Sequence, residues 1–358
     1  MKFIKSALPL FLALGAIAGC INTSSVSVNE DTVKNEEVSP EIARFTQGCD
    51  SNDADSCFYL GVRYSKGQGV KQDYSKAATY YEKACNLNDS VGCFNSGLYY
   101  DEGKGVRQDY SKAITYYEKA CNMNHGSGCY NLGFLYHKAQ GVKQDYRKAS
   151  AYFEKACNMN DGRGCFNLGL YFYKGWGVKQ DYSKAKTYYE KACNMNDGSG
   201  CLNLGSLYDD GEGKGLKRDY RKANAYYEKA CLLNDSVGCF NSGLYYDEGK
   251  GVKRDYSKAN AYYEKACNMN HGSGCFNLGN AYSDGKGVRH DYTKANTYYE
   301  KACNLNEGAG CNNLGFSYDT GRGVKQNKTT AKWYFGKACD LGEQLGCNNY
   351  RILNEKGY

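Results

Sequence analysis

The chain has 358 residues, of which 19 are cysteine, 43 glycine and only 2 proline, a cysteine share that ordinary cytosolic enzymes do not carry. Hydrophobic residues at 41% and charged residues at 24% exclude wholesale disorder, and the glycines follow no Gly-X-Y period, which excludes collagen. Forty-six basic residues against 39 acidic ones leave a net charge of +7, modest and spread along the chain, so a nucleic-acid partner is not expected.

Residues 1–19 read as a signal peptide: Lys2 and Lys5 form a charged start, and Ala7 to Ile17 is an apolar stretch too short to span a bilayer. Its end, Ile17-Ala18-Gly19-Cys20, resembles the lipobox of bacterial lipoproteins, which would make Cys20 the lipidated mature N-terminus. Ala16-Ile17-Ala18 also satisfies the small-x-small rule of ordinary cleavage. Cysteine parity supports lipidation, because the other 18 cysteines then pair without remainder. Residues 20–40, rich in Ser, Thr, Asn, Val and Glu without a helical period, read as a flexible tether. The expected location is periplasmic or at the outer membrane, with the membrane reached only through the lipid; secretion is the alternative.

From Cys49 onward the cysteines fall in pairs eight positions apart, and successive pairs are 36 residues apart. The one exception is the step of 38 between Cys193 and Cys231, where Asp210 to Gly215 carries two extra loop residues. The segment Asn88 to Val106 reappears as Asn234 to Val252, at an offset of four repeats plus those two residues, which suggests duplication of a four-repeat block. Within a unit, apolar or small residues recur at helical spacing in two stretches. The first, helix A, has Cys129, Leu132, Gly133 and Tyr136 on one seam; the second, helix B, has Tyr146, Ala149, Phe153 and Ala156. A Gly-x-Gly-Val link such as Gly103 to Val106 allows a tight connection, with valine as a plug between helices. Gly97, Gly133 and Gly169 lie inside helix A, where glycine costs about 1 kcal/mol and close helix approach is the usual compensation.

Each cysteine pair then joins the end of a B helix to the start of the next A helix. Structural zinc commonly uses C-x2-C spacing, which these pairs do not supply, and no metal or cofactor is expected. Neighbours across a short turn close fastest, so the expected disulfides are Cys49–Cys57, Cys85–Cys93, Cys121–Cys129, Cys157–Cys165, Cys193–Cys201, Cys231–Cys239, Cys267–Cys275, Cys303–Cys311 and Cys339–Cys347. At about 2.5 kcal/mol each in the chain-entropy account, they could dominate stability. The fold class is all-α, a solenoid of about eight complete 36-residue repeats with terminal capping helices over residues 41–358.

The string CxNLGxxYxxGxGV followed by DYxKAxxYYEKAC resembles the Sel-one-like repeat, a relative of the tetratricopeptide repeat, and with its cysteine pairs the chain resembles the Helicobacter cysteine-rich protein family. The resemblance implies a right-handed αα superhelix and export. It also implies kinship with members described as penicillin-binding proteins or slow β-lactamases, with roles in peptidoglycan handling or host interaction. The ends depart from the pattern: Tyr59 replaces the usual asparagine, Asn327-Lys328 replaces Asp-Tyr, and Gly336 replaces a B-helix glutamate, as suits capping repeats.

Serine β-lactamases combine Ser-x-x-Lys with Ser-Asp-Asn and Lys-Thr-Gly. Here Ser183-Lys184-Ala185-Lys186 is one version of a repeated B-helix start, Ser283 to Lys286 crosses a link, and the other two elements are absent from the sequence. His125 and His271 occupy equivalent turns, while His137 and His290 stand apart, so no metalloenzyme spacing joins them. Enzyme activity rests on the resemblance alone.

Helix A carries an asparagine two places after its cysteine, at Asn95, Asn131, Asn167, Asn203, Asn241, Asn277 and Asn313, roughly opposite the buried seam. The positions three, four and seven further on are expected to share that face, and they vary. The first holds Leu98, Phe134, Leu170, Ser206, Leu244, Asn280 and Phe316; the second Tyr99, Leu135, Tyr171, Leu207, Tyr245, Ala281 and Ser317; the third Glu102, Lys138, Lys174, Asp210, Glu248, Asp284 and Thr320. Fixed amides beside varied side chains suit an extended peptide, whose backbone they hold while their neighbours read its side chains, as related tetratricopeptide proteins imply. The other reading has each asparagine buried against the adjoining repeat. The leading expectation is a monomeric binding scaffold for a peptide, a protein or a peptidoglycan fragment. A weak hydrolase of β-lactams is the alternative, and a host-facing secreted effector the third.

Overall fold

A computed structural model describes residues 39–211 and 217–358. The signal-peptide and lipidation readings lie outside the described residues, as do the tether up to residue 38 and most of the two-residue insertion. Every described regular element is a helix, 18 in all. α1 (Pro40–Asp50) is a lone B-type helix, capped by the Ser39 side chain, so the solenoid starts one residue before the expected boundary. The A helices are α2 (Ala54–Lys66), α4 (Ser90–Glu102), α6 (Gly126–Lys138), α8 (Gly162–Lys174), α10 (Gly198–Asp210), α12 (Ser236–Glu248), α14 (Gly272–Asp284), α16 (Gly308–Thr320) and α18 (Gln344–Glu355). The B helices between them are α3 (Tyr74–Asn86), α5 (Tyr110–Asn122), α7 (Tyr146–Asn158), α9 (Tyr182–Asn194), α11 (Tyr220–Leu232), α13 (Tyr256–Asn268), α15 (Tyr292–Asn304) and α17 (Lys328–Asp340). Each helix packs mainly on its two chain neighbours, the arrangement of an all-α solenoid.

The helices start and stop where short-range chemistry dictates. The B helices α3 to α15 open on an aspartate whose carboxylate accepts from the backbone two or three residues on, as Asp109 does from the Lys112 N–H at 3.0 Å, and Asn327 caps α17 in the same way. Six of the A helices end on a left-handed glycine such as Gly103 (φ 69°), and Ala139 takes this conformation (φ 58°) after α6; α10 and α18 end otherwise, on Gly211 and Lys356. The B-to-A turn is three residues long and has a left-handed asparagine at its centre, for instance Asn88 (φ 65°), with Gly342 (φ 84°) in its place before α18.

All nine expected disulfides are present. Eight of them, all but the half-buried Cys339–Cys347, are buried, each beside an alanine of the next B helix: Cys49 and Cys57 pack with Ala84, Cys85 and Cys93 with Ala120, Cys121 and Cys129 with Ala156. The mid-helix glycines have their reason in the rings of the following helix. A β-carbon on Gly97 would stand 2.6 Å from the Tyr117 ring, and one on Gly169 2.7 Å from that of Tyr189. Large rings thus fill gaps that only glycine leaves. The linking valines are half-buried against the core, Val106, Val142 and Val178 among them.

Gly169→Ala is expected to lose about 1–3 kcal/mol of stability by overpacking against Tyr189. Ala139→Gly should gain about 1 kcal/mol by removing a side chain from left-handed backbone. Opposite shifts in denaturant midpoint are the check.

His271 caps α14 through Nδ1, which accepts from the Gly274 N–H at 3.2 Å, and burial holds its pKa below the ordinary 6.5. The unfolded chain therefore binds the proton first as pH falls. This contribution is complete above about pH 6.5 and is lost as pH drops below it toward the depressed folded value. His271→Asp, the cap residue found at Asp235, should flatten the fall in melting temperature between about pH 7 and about pH 5.

Candidate functional site

Successive A helices approach one another along most of the array more closely than successive B helices do, which puts the A helices on the inside of the curve. All seven asparagines of the A-helix row are half-exposed. Asn95, Asn167 and Asn203 donate from Nδ2 to the carbonyl four residues back, those of Val91, Arg163 and Ser199, at 2.8, 2.9 and 2.9 Å. Such a bond fixes the side chain and leaves the amide oxygen and one N–H for another partner. Asn131 and Asn277 interact with the hydroxyls of Tyr117 and Tyr263 on the preceding B helix. Asn313 donates to Asn280 Oδ1 at 3.2 Å and accepts from Asn312 at 3.4 Å, so near the C-terminal end the row becomes an amide network.

The row's neighbours divide. Side chains at the first varied position are half-exposed, with Phe316 exposed, and Lys138, Lys174, Asp210, Glu248 and Asp284 at the third are exposed. The second position was expected on the same face but is buried throughout: Tyr99, Leu135, Tyr171, Leu207, Tyr245, Ala281 and Ser317 are at most 6% exposed. This residue is turned toward the neighbouring repeat, and the ring of Tyr99 packs edge-on against Tyr81 at 5.3 Å. The inner face therefore offers each repeat's asparagine and two varied side chains.

Two features escaped the sequence reading. Asn224, Asn260 and Asn296 form a second, buried row on the B helices, and Asn260 and Asn296 donate at 2.7 Å to the carbonyls of Lys286 and Arg322 in the next link. The residue between the link glycines also reaches back to the tyrosine that opens the preceding B helix. Lys104 Nζ lies 4.4 Å from the Tyr74 ring centre and 5.4 Å from that of Tyr99; Lys250 lies 4.4 and 4.8 Å from Tyr220 and Tyr245. The signal was there: an invariant tyrosine at each interior B-helix start and a varied residue between two glycines.

Among the described residues no group of three potential metal ligands gathers, and no helix is long and apolar enough to cross a membrane. Ser183 sits at the exposed start of α9, while Lys186 extends over the Tyr208 ring at 5.4 Å, so this Ser-x-x-Lys is not assembled as a nucleophile with its base. Two open depressions of ≈ 310 and ≈ 350 Å³ are lined by Glu228, Tyr246 and Lys258, and by Tyr136, Val142 and Lys148. Nine disulfides are the mark of folding in an oxidising compartment.

No curated protein matches the chain. Among solved structures, it is similar to c5321, a protective antigen of uropathogenic Escherichia coli displaying an SLR fold. The two are 26% identical over 88% of this chain and 68% of that one, with a TM-score of 0.76. A Sel1 repeat protein from Oxalobacter formigenes is 20% identical over 92% and 98% of the two chains, at a TM-score of 0.67. Helicobacter pylori cysteine rich protein B is 40% identical over 38% of this chain and 97% of that one, at a TM-score of 0.31. The Sel1 repeat model matches residues 54–89, 90–125, 126–161, 162–197, 198–235, 236–271, 272–307 and 308–343, which are the helix pairs described above: the chain belongs to the Sel1 repeat family.

Proposed function

We propose that this chain is an exported binding scaffold, anchored through a lipid on Cys20, whose inner face holds an extended peptide segment of a partner. The observation that carries the reading is the row of half-exposed amides, repeated through seven consecutive units and flanked by side chains that differ from unit to unit. A peptide in extended conformation exposes a donor and an acceptor at each residue, and a partly free carboxamide can meet both. The varied positions beside it supply selectivity.

Replacing Asn131, Asn167 and Asn203 together with alanine tests this. Linear peptides selected on the native protein from a displayed random library should bind the triple variant roughly a hundredfold more weakly, from three clamps of about 1 kcal/mol each. Its thermal unfolding should stay unchanged, because the replaced side chains are half-exposed and alanine favours helix. A variant that unfolds early, or one that is stable and binds as before, defeats the clamp.

A further inference from the structure

Interior repeats keep to a common pattern on the inner edge, and the pattern breaks most at the junction of α6 and α8. Eight residues after the A-helix cysteine stand Asp101, Asp209, Asp247 and Asp319, with Tyr173 and Ser283 in two other units, and here the residue is His137. Between the link glycines stand Lys104, Lys250, Lys286 and Arg322, with Gln140 at the same place after Ala139, but here the residue is Trp176. The two departures meet. The rings of His137 and Trp176 lie 5.5 Å apart, Trp176 stacks on Tyr146 at 5.8 Å, and it meets Tyr171 edge-on at 5.7 Å. His137 Nδ1 is 2.8 Å from the Tyr171 hydroxyl, and the Phe134 ring lies 6.4 Å from the imidazole. Five rings from three helices and a link thus gather where Lys104 and Lys250 each stand over two tyrosines in their own links.

The charge around this cluster is also distinct. At the exposed third position Glu102, Asp210, Glu248 and Asp284 are acidic, whereas the two units that build the cluster carry Lys138 and Lys174. Lys138 Nζ stands 5.8 Å over the Phe134 ring, and neither lysine is in an ion pair among the described residues. The first varied position is apolar through three consecutive units, Leu98, Phe134 and Leu170, all half-buried, before it turns polar at Ser206. Burial, and then Lys138, hold the His137 pKa below its ordinary range, so the imidazole belongs to the cluster as a neutral ring.

We propose that the cluster of Phe134, His137, Tyr146 and Trp176, floored by the buried ring of Tyr171, is the anchor of the inner face, and that it takes an apolar side chain of a peptide whose adjacent carboxylates meet Lys138 and Lys174. The assignment rests on the peptide-binding reading of the inner face and gives that reading a place and a charge preference. Rigid aromatic groups at the centre of an interface carry most of its binding energy, and exposed unpaired cations beside them select against basic partners.

The molecule has two tryptophans, and Trp333 is 59% exposed on α17, so Trp333→Phe leaves Trp176 as the sole tryptophan, read by excitation at wavelengths that tyrosine does not absorb. The probes are two blocked nonapeptides that alternate a charged residue with leucine or phenylalanine, one with glutamate and one with lysine. The glutamate peptide is expected to change Trp176 emission and to bind about tenfold or more tighter than the lysine peptide. Trp176→Lys, which installs the residue found at 104 and 250, should weaken the glutamate peptide about tenfold or more in calorimetry with thermal unfolding unchanged. Lys138→Glu with Lys174→Glu should reverse the preference. No binding of either peptide, equal binding of both, or indifference to Trp176→Lys overturns the anchor. Loss of the glutamate peptide in the asparagine triple variant but not in Trp176→Lys rejects the anchor and leaves the amide reading standing; the converse keeps the anchor and rejects the amides.

Discussion

Between the last turn of a B helix and the first turn of the next A helix the chain has three residues in which to reverse, and a disulfide closes that reversal. Two contacts make the geometry definite. The central asparagine takes left-handed backbone that most side chains resist, and the glycine before the second cysteine lets the helix start fall against an alanine, as Gly92 does on Ala84. The sulfurs are buried in turn beside an alanine of the following B helix, so one cross-link ties together three helices. The relative setting of successive repeats follows from this junction, and the even spacing of the inner-face amides follows from the setting.

Tyrosine does two separate jobs around that frame. One tyrosine or phenylalanine of each B helix, such as Tyr117 or Phe153, fills the notch left by an A-helix glycine and is wholly buried. The residue before it stacks on a ring of the A helix in the same repeat, as Tyr116 does on Tyr100 at 5.7 Å. Burial, and then Glu82, push the phenols of Tyr100 and Tyr116 up to about 12, so Tyr100 remains a donor to Glu82, at 2.6 Å. Lys112 lies over the Tyr100 ring at 4.7 Å. Polar groups thus bracket rings that the packing leaves half-covered.

The fold was legible in the sequence because its determinants are local. Cysteine spacing, the mid-helix glycines and the link glycines each act within about one repeat, and the structure uses them as the pattern indicates. The inner face was less legible. A helical wheel places the residue four beyond the asparagine beside it, yet Leu135, Tyr171 and Leu207 are buried, because an A helix in a solenoid is covered on two flanks and a wheel drawn for one seam counts only one. The cluster around Trp176 was invisible for another reason. His137 and Trp176 are 39 positions apart, each is a single departure in its own unit, and only the stacking of units brings them together.

Every cross-link in the array begins and ends within one short turn, and none ties distant parts of the chain. Recombination that inserts or deletes whole units therefore yields a chain whose cysteines are still all paired with their neighbours, with no mismatched thiol to reshuffle. The length of the inner face can thus be altered by unequal crossing-over without any change in the oxidative folding problem, a freedom that proteins with interlaced disulfides do not have. The repeated segment from Asn88 to Val106 shows that exchange on this scale fits the architecture.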